Sequence, residues 1–269
     1  MALRVTMTTV LMTHHNARLL VDSPATGAWN MAVDQALLES AEHHERATLR
    51  FYRWSEPVLS LGYFQRAADR VQHAASLYCE LVRRRSGGGA IVHDRELTYS
   101  LAIPSSHGWA KKNTELYEVV HQQIITVLAE CGVKCQLFRE LESKSSHLQD
   151  RSNAGDSNSF LCFQRRTSGD IVLGSHKIGG SAQRRLKKSL LQHGSVLLTC
   201  SAAAPELPGI NDLSDSDVGW DVLVELLSER FQSTLGWRFA PGTMESEEQE
   251  LARKLESERF LSEDWTYQR

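Results

Sequence analysis

Two clusters of residues have the types and spacing to do chemistry. In Arg83-Arg84-Arg85-Ser86-Gly87-Gly88-Gly89-Ala90-Ile91-Val92-His93, three consecutive glycines stand between two strand-like runs, where β-propensity disfavours them. Glycine lets a ligand approach backbone amides with no Cβ in the way, so the run suits a carbonyl, a phosphate or an acyl chain. A plain hairpin turn is the alternative. The order fits neither GxxxxGK[ST] nor GxGxxG, so neither nucleotide fingerprint is satisfied. The second cluster follows the strand-like 170–173, where Lys177-Ile178-Gly179-Gly180-Ser181-Ala182-Gln183 sets one cation beside small residues. That arrangement suits polarisation of a carbonyl or a phosphate, although a surface lysine before a turn has the same pattern. Five cysteines (Cys79, Cys131, Cys135, Cys162, Cys200) are an odd number at irregular spacing, which argues against a disulfide framework and leaves room for a working thiol. By itself Cys162, in the strand-like Phe160-Leu161-Cys162-Phe163, reads as a small apolar residue.

The elements that position these clusters are mixed. A strand at 17–22 leads through Ser23-Pro24 into a helix over 28–41, where Met31, Val33, Ala36, Leu37 and Leu38 recur at helical spacing. Short β-rich runs follow at 48–54, 58–61, 81–82, 90–92 and 97–103. The clearest helix is 114–131, with an apolar face from Leu116 to Leu128 and Gly132 as its stop. After a strand-like 133–138, the polar stretch 139–159 reads as a mobile loop. Strands are expected again near 160–163, 170–173 and 194–198, and helices over 218–235 and 245–255. With 269 residues, 41% hydrophobic and 23% charged, disorder and fibres are excluded, and no linker divides the chain, so one domain over 1–269 is expected. No apolar run reaches about 18 residues, and with the cysteine usage this predicts a soluble, cytoplasmic protein.

Together the clusters resemble the lipoate-protein ligase A and octanoyltransferase family. The match lies in Arg83, Arg84, Ser86, Gly87, Gly88, Gly89, Ala90 and His93, in Lys177, Ile178, Gly180, Ser181, Ala182 and Gln183, and in His193-Gly194. Asn30-Met31-Ala32-Val33-Asp34 and Leu49-Arg50-Phe51-Tyr52-Arg53-Trp54 extend it to about 19–198. The resemblance implies an α+β fold, a mixed sheet flanked by helices as in biotin ligases and the class II synthetase core, with the acyl pocket under the arginine-glycine loop. It also implies a choice between ATP-using ligases, which form an acyl-adenylate with ATP and magnesium, and ATP-independent transferases. The transferases carry a Cys-Phe pair upstream of the lysine motif, here Cys162-Phe163, and their version of Leu61-Gly62-Tyr63-Phe64-Gln65. By resemblance, then, the chain is an octanoyltransferase closest to the cysteine-dependent members. Cys162 would be the nucleophile, and Lys177 would lower its pKa and hold the acyl carbonyl. Arg84, Ser86, Gly87, Gly88, Gly89, His93, Gly180, Ser181 and Ala182 would bind the substrate, with the helix 28–41 closing one side. His93 is expected to shape the pocket or bond the loop backbone, with general-base work on the acceptor lysine as the alternative. No cofactor or metal is expected; an ATP-dependent ligase, an amidotransferase between lipoyl domains and a silent sensor of lipoylated partners are the competing readings.

Partners follow from local charge. The net charge is −3, yet residues 160–200 contain seven basic residues and one acidic, so that this segment is +6 and the rest −9. A basic face suits an acidic acyl carrier protein and acidic lipoyl domains, such as the glycine cleavage H protein or the acyltransferase subunit of 2-oxoacid dehydrogenases. Phosphate binding by Arg184-Arg185-Leu186-Lys187-Lys188 is the competing reading, but no aromatic interleaving or nucleic-acid module accompanies the charges. Cys131-Gly132-Val133-Lys134-Cys135 lacks a second pair at zinc spacing, and His14-His15 and His43-His44 read as surface pairs. A monomer is the default. Reversing Arg184, Arg185, Lys187 and Lys188 to glutamate is expected to weaken carrier-protein binding in titration calorimetry. Unchanged affinity would mark the segment as a solvated turn.

Overall fold

The computed structural model describes residues 15–139 and 159–269. Nearly all of the expected loop 139–159, and all of 1–14, lie outside them. An eight-stranded mixed sheet runs in the order β11-β1-β2-β6-β10-β9-β8-β7. Its strands are β1 (His15–Val21), β2 (Ala47–Tyr52), β6 (Glu96–Pro104), β7 (Gln136–Leu137), β8 (Ile171–Leu173), β9 (His176–Arg185), β10 (Ser189–Leu197) and β11 (Trp237–Pro241). β1 pairs in parallel with both β2 and β11, and the remaining neighbours are antiparallel. A second sheet, β4-β3-β5, is built from β3 (Val58–Leu61), β4 (Glu80–Arg83) and β5 (Ile91–His93). The α+β expectation and the mixed sheet flanked by helices hold.

Each face of the large sheet is covered for a reason visible in the strand alternation. On β6, Leu97, Tyr99, Leu101 and Ile103 point to one face, where they pack in one core with Leu116, Val120 and Ile124 of α2 (Asn113–Glu130) and Leu223, Leu227 and Phe231 of α4 (Trp220–Leu235). The other face meets α1 (Gly27–His44), capped by the Thr26 side chain, and α5 (Ser246–Leu255). Two short helices, α3 (Ile210–Leu213) and α6 (Glu263–Thr266), complete the set. No helix among the described residues is long and apolar enough to cross a membrane.

The structure corrects several sequence readings. Residues 160–163 are not a strand: Leu161 makes a single bridge to Ala90, and Cys162–Gln164 then turn as a short 3-10 helix, with the Arg165 amide donating to the Cys162 carbonyl. The strand expected over 133–138 shrinks to two residues. β9 carries the lysine motif as a ten-residue strand, where sequence suggested a turn; its Gly179 lies so close to Ile171 that an added Cβ would stand 3.0 Å from Ile171 Cδ1. β11 was missed; Trp237, wholly buried, anchors it beside β1.

A buried ion pair joins α5 to this sheet. Arg18 donates through both terminal nitrogens to the two oxygens of Glu248 at 2.7 Å, and Ser40 of α1 donates to the same carboxylate at 2.6 Å. Burial alone would raise the Glu248 pKa, but the bonds from Arg18, Ser40 and the Glu245 amide outweigh it and hold it below the ordinary glutamate value. Its contribution is therefore complete above the unfolded value of about 4.3 and is lost as pH falls through the lower folded value. Glu248→Ala should cost about 3 kcal/mol in urea unfolding near neutral pH, because Arg18 is left buried and unpaired, and should flatten the acid limb. Arg18→Met with Glu248→Met should recover most of the loss.

Candidate active site

The middle of the α1-facing side of the sheet is polar. Arg50 and Tyr52 of β2, Thr98 and Ser100 of β6, and His193 and Ser195 of β10 are on this side, beneath Asn30 and Asp34 of α1. Asp34 is buried and accepts from Arg50 at 2.9 Å, Ser100 at 2.8 Å and Tyr52 at 3.0 Å. Burial pushes its pKa up, but the hydrogen bond from His193, the Arg50 charge and the Ser100 bond pull it below the usual carboxylate range, so it is an anion.

Beside this layer opens a narrow cavity of about 60 Å³. Of the residues singled out in the sequence, Arg84, Gly87, Gly88, His93, Cys162, Gly180, Ser181 and Ala182 line it, as does Met31 of α1. Ser86, Gly89 and Lys177 do not, but each touches a residue that does. The Ser86 hydroxyl is 2.6 Å from His193 Nε2, and a Cβ on Gly89 would stand 3.0 Å from the Cys162 backbone. Lys177, buried, puts Nζ 3.5 Å from Cys162 Sγ and 3.5 Å from its carbonyl oxygen.

What orients Lys177 was not read from the sequence. Its Nζ is 2.8 Å from Asp170 Oδ2, and that carboxylate also accepts from the Thr167 amide at 2.8 Å. The ammonium is thus fixed by an anion behind it and points a remaining donor at the thiol. Gly180 makes room: a Cβ there would meet Lys177 Cε at 2.8 Å. Ser181 is held from behind by His121, which donates from Nδ1 to the Gly169 carbonyl at 2.6 Å and accepts at Nε2 from Ser181 at 2.6 Å. Burial pushes the His121 pKa down to about 4, so it is neutral and fit for that acceptor role.

The glycine loop is shaped by arginine. Arg84 is buried with no carboxylate against it among the described residues; its Nη atoms donate to Ser60 O, Ser60 Oγ, Gly87 O and Gly89 O at 2.6 to 3.1 Å. Burial brings its pKa down to about 10, which leaves it cationic at neutral pH. With the loop carbonyls drawn to Arg84, the amides of Gly88 and Gly89 donate to no acceptor among the described residues. Gly88 adopts φ +94°, a conformation glycine takes without strain. Arg83 is a second clamp, donating to the carbonyls of Gly62, Tyr63, Gln65, Trp265 and Thr266.

His93 lines the cavity as expected but does not reach the loop backbone. It stacks on Trp54 at 4.0 Å, donates to Glu96 at 2.6 Å and accepts from Ser60 at 2.7 Å. Ser60 in turn accepts from Arg84, so His93 braces the arginine. His193 and Asp34, quoted within motifs, were not assigned to the site. Asn30 and Asp34, four residues apart among Ala28, Met31, Ala32, Val33, Leu37 and Leu38 of the helix, were the available signal. Among the described residues no group of His, Cys, Asp and Glu is placed to hold a metal.

Residues 26–212 match the lipoyl protein ligase A/B catalytic domain. Octanoyltransferase LipM of Kyrpidia tusciae is 32% identical over 94% of this chain and 98% of its own length, and that of Brevibacillus brevis is 30% identical over 94% and 99%. In fold, the chain is similar to a lipoate-protein ligase A bound with ATP (TM-score 0.73, 23% identity, 94% of this chain and 98% of that one). It is also similar to a bi-partite lipoate protein ligase from Thermoplasma acidophilum (TM-score 0.71, 22% identity, 94% and 97%). The arginine-glycine loop and the lysine strand both fall inside the matched span, and the chain belongs to the lipoyl protein ligase A/B catalytic domain family.

Proposed function

We propose that this protein is an octanoyltransferase of lipoate biosynthesis, moving an octanoyl group from acyl carrier protein to a lysine of a lipoyl domain through a thioester on Cys162. The observation that carries this reading is Cys162 Sγ in the cavity wall, 3.5 Å from a lysine ammonium fixed by Asp170. The relatives named octanoyltransferase, aligned along almost the whole chain, support the acyl group. In the first half-reaction the Cys162 sulfur adds to the carrier thioester, and the carrier thiol leaves with the proton Cys162 gave up. Sulfur replaces sulfur, so this step is nearly isoenergetic. Negative charge on the carbonyl oxygen is met by Lys177 and by the amides of Gly88 and Gly89, which donate to no acceptor among the described residues. The amide formed in the second half-reaction makes the whole sequence run downhill. As written it consumes no nucleotide and needs no metal.

Intact-protein mass spectrometry after mixing with octanoyl carrier protein, without ATP, should show one octanoyl adduct that hydroxylamine removes and that Cys162→Ser lacks. Absence of the adduct, with activity on free octanoate or lipoate once ATP and magnesium are supplied, would assign a ligase instead. An adduct formed only from an octanoylated lipoyl domain would assign an amidotransferase. Gly180→Ala, whose Cβ would stand 2.8 Å from Lys177 Cε and push the ammonium aside, is expected to slow adduct formation up to about 100-fold while leaving the melting temperature within about 3 °C.

A further inference from the structure

The cavity that holds Cys162 lies across the large sheet, and the strand register fixes its direction. Gly180 of β9 stands opposite Ser195 of β10, Ser195 opposite Thr98 of β6, and Thr98 opposite Tyr52 of β2. All four residues line the cavity. Neighbouring strands are roughly 4.8 Å apart, so the three steps of this row carry it about 14 Å from Gly180 to Tyr52. The thiol is held at the Gly180 end: a Cβ on Gly180 would stand 3.1 Å from Lys177 Nζ, and Nζ is 3.5 Å from Cys162 Sγ.

The row is polar by residue type, yet its hydroxyls are already engaged. Ser195 and Thr98 both donate to Glu96 Oε1, at 2.9 and 2.6 Å, and Thr98 also accepts from Trp54 Nε1 at 2.9 Å. An aliphatic chain laid over them therefore strips no unpaired hydroxyl of water.

The far end of the row is closed by a side chain held on several sides. The Tyr52 hydroxyl donates to Asp34 Oδ2 of α1 at 3.0 Å, so the ring spans the gap between sheet and helix. The Arg50 guanidinium lies 3.9 Å from the ring centroid, and Trp54, itself stacked on His93 at 4.0 Å, packs beside it at 5.7 Å. Tyr52 is 1% exposed and cannot swing aside without breaking these contacts.

We propose that Tyr52 is the end stop of the acyl site and makes octanoyl the longest saturated chain that fits. The inference rests on the thioester reading above, which places the acyl carbonyl beside Cys162 and Lys177. C–C bonds of about 1.5 Å advance a zigzag chain by roughly 1.25 Å each, so the methyl of an octanoyl group lies about 9 Å from its carbonyl carbon. About 5 Å then remain to the Tyr52 position, close to the van der Waals contact distance of about 4 Å. A decanoyl chain reaches about 11 Å and leaves about 3 Å, nearer than two carbon atoms approach. A hexanoyl chain stops about 8 Å short and forgoes the burial of its two missing methylenes.

Single-turnover mass spectrometry of adduct formation from hexanoyl, octanoyl, decanoyl and dodecanoyl carrier protein tests the stop. Ratios taken within one variant cancel any general loss of active enzyme. Wild type is expected to react with octanoyl roughly tenfold faster than with decanoyl and to leave dodecanoyl unreacted. Tyr52→Leu, which shortens the stop, should raise the decanoyl-to-octanoyl ratio roughly tenfold. Tyr52→Phe, which keeps the ring, should keep the wild-type order. Thr98→Ile fills the row one strand earlier and should move the preference to hexanoyl, and it decides the question where Tyr52→Leu does not fold. Equal wild-type rates with octanoyl and decanoyl would overturn the proposal. So would an unchanged ratio in folded Tyr52→Leu, or, where that variant does not fold, an unchanged octanoyl preference in Thr98→Ile. If no chain length gives an adduct on Cys162, the thioester reading fails and the end stop falls with it. Adducts whose order of chain lengths ignores Tyr52 and Thr98 overturn the end stop alone.

Discussion

A helix enclosed by protein on nearly every side has to meet the sheet through polar groups as well as apolar ones, and Asp34 is where α1 does so. Its carboxylate gathers donors from β2, β6 and β10. A buried charge is tolerated only when its lone pairs are satisfied, so the position of α1 is tied to the placement of Arg50, Ser100 and His193. The same contact that seats the helix holds His193, an imidazole facing the cavity. Fold and site are therefore one hydrogen-bonded unit here, and a change at Asp34 acts on both.

A second unit is built around Arg84. A guanidinium without a carboxylate partner is costly to bury, and the oxygens of Ser60, Gly87 and Gly89 offset that cost. Among the described residues, turning the loop carbonyls toward the arginine leaves the Gly88 and Gly89 amides without acceptors. What the loop presents is thus decided by what lies behind it. His93 belongs to this unit: it is held by Glu96, stacked on Trp54, and supports the serine that receives Arg84.

How much of this could be read in the sequence depends on the range of the interaction. The helix 28–41 and its neighbour 114–131 were legible because periodicity is local, and they appear as Gly27–His44 and Asn113–Glu130. β9 was not, since Gly179 and Gly180 argue against a strand unless the close approach of Ile171 and Lys177 is known. The Cys162 and Lys177 pair was reached only through resemblance, and its turn conformation was misread as a strand. Asp170 and the contacts of His193 with Asp34 and Ser86 were invisible for a different reason. Their partners lie up to 159 residues apart, and a carboxylate on the sequence page carries no mark of what it will face.

The Arg83 clamp ties the residue before Arg84 to carbonyls 182 and 183 positions later. Closing so wide a loop is entropically slow and is rewarded only once most of the chain has packed. On a ribosome, β4 emerges long before α6 exists to receive it. Two of the five carbonyls that hold Arg83 therefore come from residues made long after it, so the clamp before the glycine loop is complete only once α6 has docked.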